Sequence, residues 1–287
     1  MALRTGFVGL GNIGRPMAIR LAERGLAPVV YDVVPEAVAT AVAAGASAAA
    51  DLAEVAHRSD WIGVCVRDDD DVRRVVLDDE GLLPHCTRGT TIAVHSTILP
   101  RTVRELVDAA QPRGVDVIDA CITGGAGGAA QGTLTIMVGG SDAALERSRP
   151  VLELLGTLVV ATGEAGTGAA TKLCNNLMTY LGFLAAFEAD LLARTSGLSA
   201  AALDEVTRSN GNLTPQMQSF VLLHRLPQAE RDKPEFQEHL RSFTTLAEKD
   251  LGVTLAFARE HGVALPGAGL CQQLMARVYG LRDPNRR

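Results

Sequence analysis

The chain has 287 residues, 47% of them hydrophobic, and a formal net charge of −6. That length accommodates two domains with real cores, and lysines and arginines scattered through an acidic chain offer no footprint for nucleic acid or an anionic membrane surface. Five cysteines, Cys65, Cys86, Cys121, Cys174 and Cys271, show neither CxxC spacing nor a histidine partner at metal-ligand distance, so they read as reduced, mostly buried thiols and no metal site is expected.

The opening MALRTGFVGL enters a strand almost at once, leaving no room for the charged and apolar regions of a signal peptide, and a cytoplasmic protein is expected. Residues 5–9 form a short apolar run. Gly9-Leu10-Gly11-Asn12-Ile13-Gly14 follows, and a helical pattern continues through Met17, Ile19 and Leu21 to Gly25. A second apolar run, Pro28-Val29-Val30-Tyr31, ends in Asp32, eighteen residues past Gly14. Strand, glycine turn, helix and a second strand closed by an acid are the parts of a dinucleotide cradle. One glycine makes the turn, one admits the pyrophosphate and one lets the helix pack closely, while the acid accepts hydrogen bonds from ribose hydroxyls.

The alternation continues with a helix over 48–57, a buried strand over 61–66, a helix over 69–77, a strand over 90–94, a helix over 100–113 and a strand over 115–119. Repeated β-α units of this length imply a parallel, doubly wound sheet. The acidic run Asp68 to Asp71 reads as a helix N-terminus rather than a metal site. After Asp119 come Cys121-Ile122-Thr123-Gly124-Gly125-Ala126-Gly127-Gly128 and then a strand bracketed by glycines over 132–140. The glycine run lies past the carboxyl end of a sheet strand. Two readings stand: its backbone N–H groups hold a carboxylate as a nest does, or the glycines only make a sharp turn capped by Thr123.

Residues 163–194 read as one long helix, expected to run through the interior between two domains. No membrane span is expected, because Lys172, Asn175, Asn176, Glu188 and Asp190 interrupt its apolar run. Lys172 and Asn176, four residues apart, share a face. A lysine there either snorkels to water or is held out of it, and a desolvated lysine suits proton transfer. Beyond this helix strand signals vanish: 199–208, 215–224, 243–261 and 266–279 read as helices, with 226–234 an exposed polar connection. The expected division is a dinucleotide-binding Rossmann-like domain over 1–163 and an all-helical domain over 164–287 that binds substrate and pairs with a second copy.

Four segments together are specific. FVGLGNIGRPMAIRLAERG, DACITGGAGGAAQGTLTIMVGG, GTGAATKLCNN and LAEKDLGVTLAFAREHGVALP resemble, in order, the cofactor-binding, substrate-binding, catalytic and C-terminal signatures of the β-hydroxyacid dehydrogenases. That group includes 3-hydroxyisobutyrate dehydrogenase and tartronate semialdehyde reductase and has a 6-phosphogluconate dehydrogenase-type NAD-binding domain. The resemblance implies that Lys172 is the catalytic general acid/base, Asn176 its hydrogen-bonding companion, and Thr123 the counterpart of a substrate-binding serine. Gly124 and Gly125 would present N–H groups to a substrate carboxylate, Thr97 would approach the nicotinamide ribose, and Lys249 the cofactor. Cofactor contacts are assigned to Gly9, Leu10, Gly11, Asn12, Ile13, Gly14, Asp32, Val66, Arg67, Thr97 and Lys249. Three positions depart from the family pattern: Thr123 replaces serine, Cys121 a proline, and Val66-Arg67 the usual Leu-Pro.

The leading expectation is hydride transfer between NAD and a small 3-hydroxy acid, with NAD preferred because the Asp32 carboxylate repels a 2′-phosphate and Val33-Val34-Pro35 supply no arginine to receive one. The competing readings are imine reduction on the same architecture, whose enzymes usually lack a lysine at the position of Lys172, and a non-catalytic cofactor-binding module. Asn210, Asn212, Gln216 and Gln218 hint at a substrate substituent with hydrogen-bonding capacity. A homo-oligomer, dimer or tetramer, is expected from the apolar surface of the helical half.

Overall fold

A computed structural model describes residues 3–283 and divides into two compact units, Met1–Lys172 and Leu173–Arg287. The first unit runs β1 (Thr5–Val8), α1 (Gly14–Glu23), β2 (Val29–Tyr31), α2 (Pro35–Ala43), β3 (Ser47–Ala48), α3 (Leu52–Arg58), β4 (Trp61–Val64) and α4 (Asp69–Leu77). It continues through β5 (Thr91–Val94), α5 (Pro100–Ala110), β6 (Asp116–Thr123), α6 (Gly125–Gln131), β7 (Leu134–Gly139), α7 (Asp142–Leu155) and β8 (Gly156–Gly163). The strands form one sheet in the order β3-β2-β1-β4-β5-β6-β7-β8. All neighbours are parallel except β6 and β7, which pair antiparallel.

Side chains alternate between the two faces, as the period of two in a strand requires. Phe7, Trp61, Ala93, Ile118 and Ile122 enter one core with Met17 and Leu21 of α1 and Leu152 of α7. Val8, Ile62, Val64, Ile92, Val94, Val117 and Cys121 enter the other with Val55 of α3, Val72 of α4 and Leu106 of α5. Both faces are covered, which is why these strands are apolar throughout rather than alternating with polar residues.

Several boundaries differ from expectation. The helix anticipated over 48–57 begins only at Leu52, because Asp51 caps it by accepting the Glu54 N–H at 2.7 Å, and Ser47–Ala48 instead extend the sheet. Cys121 and Ile122 belong to β6 and are buried, not loop, and the glycine run coils into α6. The α7 helix and β8 strand were not anticipated, nor was the antiparallel pairing of β7. The long helix α8 (Thr167–Thr195) starts later than expected, since Gly163 closes β8 and Gly163 and Gly166 take left-handed backbone angles, φ +124° and +94°.

The second unit contains the continuation of α8 from Leu173, then α9 (Ala200–Ser209), α10 (Pro215–Arg225), α11 (Gln228–Arg231), α12 (Pro234–Glu260) and α13 (Pro266–Tyr279). Ser199 and Thr214 cap α9 and α10 through their side chains, and proline occupies the first turn of α10, α12 and α13. The α12 helix starts nine residues earlier than the sequence suggested, and α11 is a single turn inside the polar connection. Tyr180, Phe183, Phe220, Leu251, Met275 and Tyr279 form its core, with Phe183 and Phe220 stacked at 4.5 Å. Arg225 bonds both Asp190 and Asp204, clamping α8, α9 and α10. Among the described residues no helix is long and apolar enough to cross a membrane.

Candidate active site

The strand order reverses direction between β1 and β4, the switch point beside which ligands bind in such sheets. Gly9 leaves β1 at φ +89°, and a Cβ there would lie 2.3 Å from the Cys65 carbonyl oxygen. A Cβ on Gly14 would lie 1.9 Å from the Gly9 oxygen, so these two glycines are needed for the turn itself. Gly11 is different: it is exposed and a Cβ would meet nothing, the open space a bound group would occupy. The α1 helix that follows has neither a capping side chain nor an acid in its first turn, so no carboxylate competes with an anion at its start, though the Arg15 N–H already bonds the Gly11 carbonyl and Pro16 has no N–H.

Asp32 closes the cradle. One carboxylate oxygen accepts the Leu10 N–H at 2.5 Å and the other the Val34 N–H at 2.8 Å. An ionised carboxylate has about four acceptor positions, so capacity remains for ribose hydroxyls. The residues thus fit a dinucleotide. Val66 and Ser96 join the next two loops: the Ser96 hydroxyl accepts the Val66 N–H at 2.9 Å and donates to its carbonyl at 2.8 Å. Arg67 is exposed but engaged, its guanidinium reaching both oxygens of Asp71 at 2.5 and 3.0 Å. Asp68 caps α4 through the Asp71 N–H, and among the described residues no acidic, His or Cys cluster could hold a metal.

Thr97 is half-buried just past β5, next to a fully buried His95. His95 Nδ1 lies 2.7 Å from the Ala120 carbonyl, which can only accept, so that nitrogen carries the proton. Burial lowers the pKa of this ring to about 4, and it stacks on Phe7 as a neutral core residue.

Thr123 ends β6, half-buried, with Gly124 and Gly125 exposed at φ +125° and +65°. Register aligns Val94, the last residue of β5, with Asp119, so Thr123 stands four residues beyond the carboxyl edge of the neighbouring strand. Asp119 is completely buried, and its two oxygens accept the Gly166 N–H at 2.9 Å and the Ala169 N–H at 2.7 Å. The start of α8 is therefore attached at the level of the strand ends, and Lys172, half-buried, follows Ala169 by three residues.

In the second unit a buried polar group surrounds Asp250. Asn176 Nδ2 and the Tyr180 hydroxyl donate to Asp250 Oδ2 at 2.7 and 3.0 Å. Lys249 Nζ lies 2.7 Å from Oδ1 as an ion pair. Burial, then the Asp250 charge, pushes the Tyr180 phenol well above its ordinary pKa, so it remains a donor. Asn210, Asn212 and Gln216 are exposed and Gln218 half-buried, and the Asn210 side chain only accepts the Asn212 N–H of its own turn.

The sequence reading passed over Asp119 and Asp250. A signal existed for each: Asp119 is the only charged residue inside the apolar run VIDACI, and Asp250 lies at helical spacing from Ala247, Leu251 and Thr254 on the buried stripe of α12.

Comparison with known proteins agrees with this architecture. Residues 4–163 match the model of the NAD binding domain of 6-phosphogluconate dehydrogenase, and residues 166–283 that of the NAD-binding domain of NADP-dependent 3-hydroxyisobutyrate dehydrogenase. The chain is 35% identical to an NAD-dependent L-serine dehydrogenase of Pseudomonas aeruginosa, over 96% of this chain and 94% of that protein. It is 32% identical to 2-(hydroxymethyl)glutarate dehydrogenase of Eubacterium barkeri, over 98% and 91% respectively. The solved structure of Mycobacterium tuberculosis 3-hydroxyisobutyrate dehydrogenase with L-serine superposes with a TM-score of 0.83 at 29% identity, covering 98% of this chain and 94% of that one. With its doubly wound sheet, glycine turn and helical C-terminal half, the chain belongs to the β-hydroxyacid dehydrogenase family of NAD(P)-dependent oxidoreductases.

Proposed function

We propose that this chain interconverts a small 3-hydroxy acid and its semialdehyde, using NAD in preference to NADP and Lys172 as general acid/base. The reading rests on one observation: the edge of the sheet that carries the glycine turn and Asp32 also carries Thr123 and, through Asp119, the start of the helix bearing Lys172. The residues assigned to the cofactor are Gly9 to Gly14, Asp32, Val66, Arg67, Thr97 and Lys249. Bound there, NAD would supply the hydride acceptor.

The chain's own residues orient the substrate and move its proton. Thr123 Oγ1 and the Gly124 and Gly125 N–H groups hold the substrate carboxylate. Lys172 Nζ takes the hydroxyl proton during oxidation and returns it during reduction, and the Asn176 amide, its Nδ2 held on Asp250, orients the ammonium. The substrates in the names of the relatives, L-serine, 2-(hydroxymethyl)glutarate and 3-hydroxyisobutyrate, all carry a primary hydroxyl on the carbon β to a carboxylate. That shared unit is the substrate class assigned here. An imine needs no base for a hydroxyl proton, so Lys172 favours alcohol chemistry.

The helical unit exposes Met178, Leu192, Val206 and Leu270, apolar surface that a symmetric homo-oligomer would cover. The reaction is tested by following reduced nicotinamide with 3-hydroxyisobutyrate, serine, 3-hydroxypropionate and glycerate, and with cyclic imines as the contrasting class. Lys172→Ala should lower kcat by about 10²–10⁴-fold with little change in NAD affinity. Retention of more than about a tenth of kcat moves the acid/base elsewhere, and turnover of imines but of no hydroxy acid overturns the reading.

A further inference from the structure

We propose that Asp119 is a positioning residue for the reaction: its buried carboxylate sets where α8 begins and thereby where Lys172 stands relative to Thr123. The inference rests on the assignment of Lys172 as the acid/base. Asp119 lies in the middle of β6, hydrogen-bonded into the sheet between β5, where it is level with Val94, and β7, where it is level with Gly139. Its side chain is completely buried, and among the described residues no basic side chain pairs with it. Its partners are the Gly166 and Ala169 N–H groups, at 2.9 and 2.7 Å, which belong to the first turn of α8 and the residue before it. Free N–H groups at a helix start carry partial positive charge, so the helix terminus offsets part of the cost of burying this carboxylate, burial still raising its pKa.

The surroundings are shaped to admit this contact. A Cβ on Gly139 would lie 2.6 Å from Asp119 Oδ1, and a Cβ on Gly168 3.0 Å from Oδ2 and 2.6 Å from the Met137 carbonyl oxygen. Two glycines, one in the neighbouring strand and one in the helix, leave room for the carboxylate and the close approach of α8 to the sheet. The α8 helix carries no side chain in its first turn that could replace this acid, since that turn contains no acidic residue.

The consequence is geometric. Side chains at 119, 121 and 123 point to one face of β6, so the carboxylate that holds the helix and the Thr123 hydroxyl project from the same face, about 13 Å apart along a regular strand. Lys172 is three residues beyond Ala169, close to one helical turn. Both ends of the proposed chemistry are thus indexed to one rigid strand. Without the carboxylate the first turn of α8 can fray or rotate, and Lys172 moves with it. A misplacement of about 1 Å at a reacting group can cost about 10²-fold in rate.

Asp119→Asn tests this, because the amide keeps the size but can accept only one of the two N–H groups while turning its own donor toward the other. The expected result is a fall in kcat of about 10²-fold, with NAD affinity within about twofold and substrate KM moving much less than kcat. Gly168→Ala leaves the carboxylate intact and improves helix propensity, yet pushes the helix off it, and should lower kcat about tenfold or more. If Asp119→Asn does not fold, Gly168→Ala decides the matter. Added to Lys172→Ala, Asp119→Asn should cost no more than about twofold further, because it acts through that lysine, whereas a purely structural role would give multiplying losses. Folded variants with kcat within about threefold of the parent, or losses that multiply with that of Lys172→Ala, overturn the proposal. An active Lys172→Ala variant instead removes the lysine assignment on which the proposal stands, and the single variant alone reveals it.

Discussion

Replacing Asp32 separates cofactor choice from folding. Its carboxylate is half-buried between a buried Leu10 N–H and the exposed Val33-Val34 turn, and Val33 is 84% exposed. Two like charges 4 Å apart at an effective dielectric of about 20 repel by about 4 kcal/mol, and the exposure of this turn reduces that to about 2 kcal/mol. Wild-type enzyme should therefore favour NAD over NADP by about 30-fold in kcat/KM. Asp32→Asn keeps an oxygen for the Leu10 N–H but removes the charge, so the preference should shrink to within about threefold while thermal stability hardly changes. Asp32→Ala should shrink it equally and also orphan the N–H of Leu10, a residue only 1% exposed, at about 1–3 kcal/mol and a few degrees in Tm. Steady-state kinetics with both cofactors and thermal melting read out all three proteins. Equal or better use of NADP by the wild type, or an unchanged ratio in Asp32→Asn, refutes the reasoning.

Three further outcomes are expected. Asp250→Ala removes the acceptor of Asn176 and Tyr180 and the counter-ion of Lys249, and urea unfolding should show about 3 kcal/mol of lost stability; a loss under about 1 kcal/mol contradicts the buried cluster. His95 has a pKa of about 4 when folded against 6.5 unfolded, so the unfolded chain takes up the proton first. Stability should fall as pH drops from 6.5 towards 4, with up to about 3 kcal/mol due to this ring, and His95→Asn, which retains a donor for the Ala120 carbonyl, should flatten that slope; identical slopes would exclude the assignment. Light scattering at micromolar concentration should give a multiple of the 30.2 kDa chain, and a monomer alone would refute the homo-oligomer.

What the sequence determined by itself was carried by neighbours in the chain. Gly9 to Gly14 and Asp32 announce a dinucleotide cradle because turn geometry, helix start and strand end all fall within a few residues of one another. The same locality places α4 at Asp69–Leu77 and α13 at Pro266–Tyr279, where capping acids, proline and apolar spacing state the boundaries. Lys172 and Asn176 stand out because helical spacing alone puts them on one face. Only the tertiary structure decided the rest. The glycines after Thr123 look like the end of order, but β7 pairs antiparallel with β6 and draws Cys121 and Ile122 into the sheet. Arg67, read from the sequence as a cofactor contact, also holds both oxygens of Asp71 four residues on, a pairing the sequence reading did not draw. Asp119 and Asp250 read as single acids among apolar residues, and their meaning comes from partners 47 to 74 positions away in the chain. A buried carboxylate is costly unless donors surround it, and which donors do so depends on strand register and helix packing that no local pattern encodes.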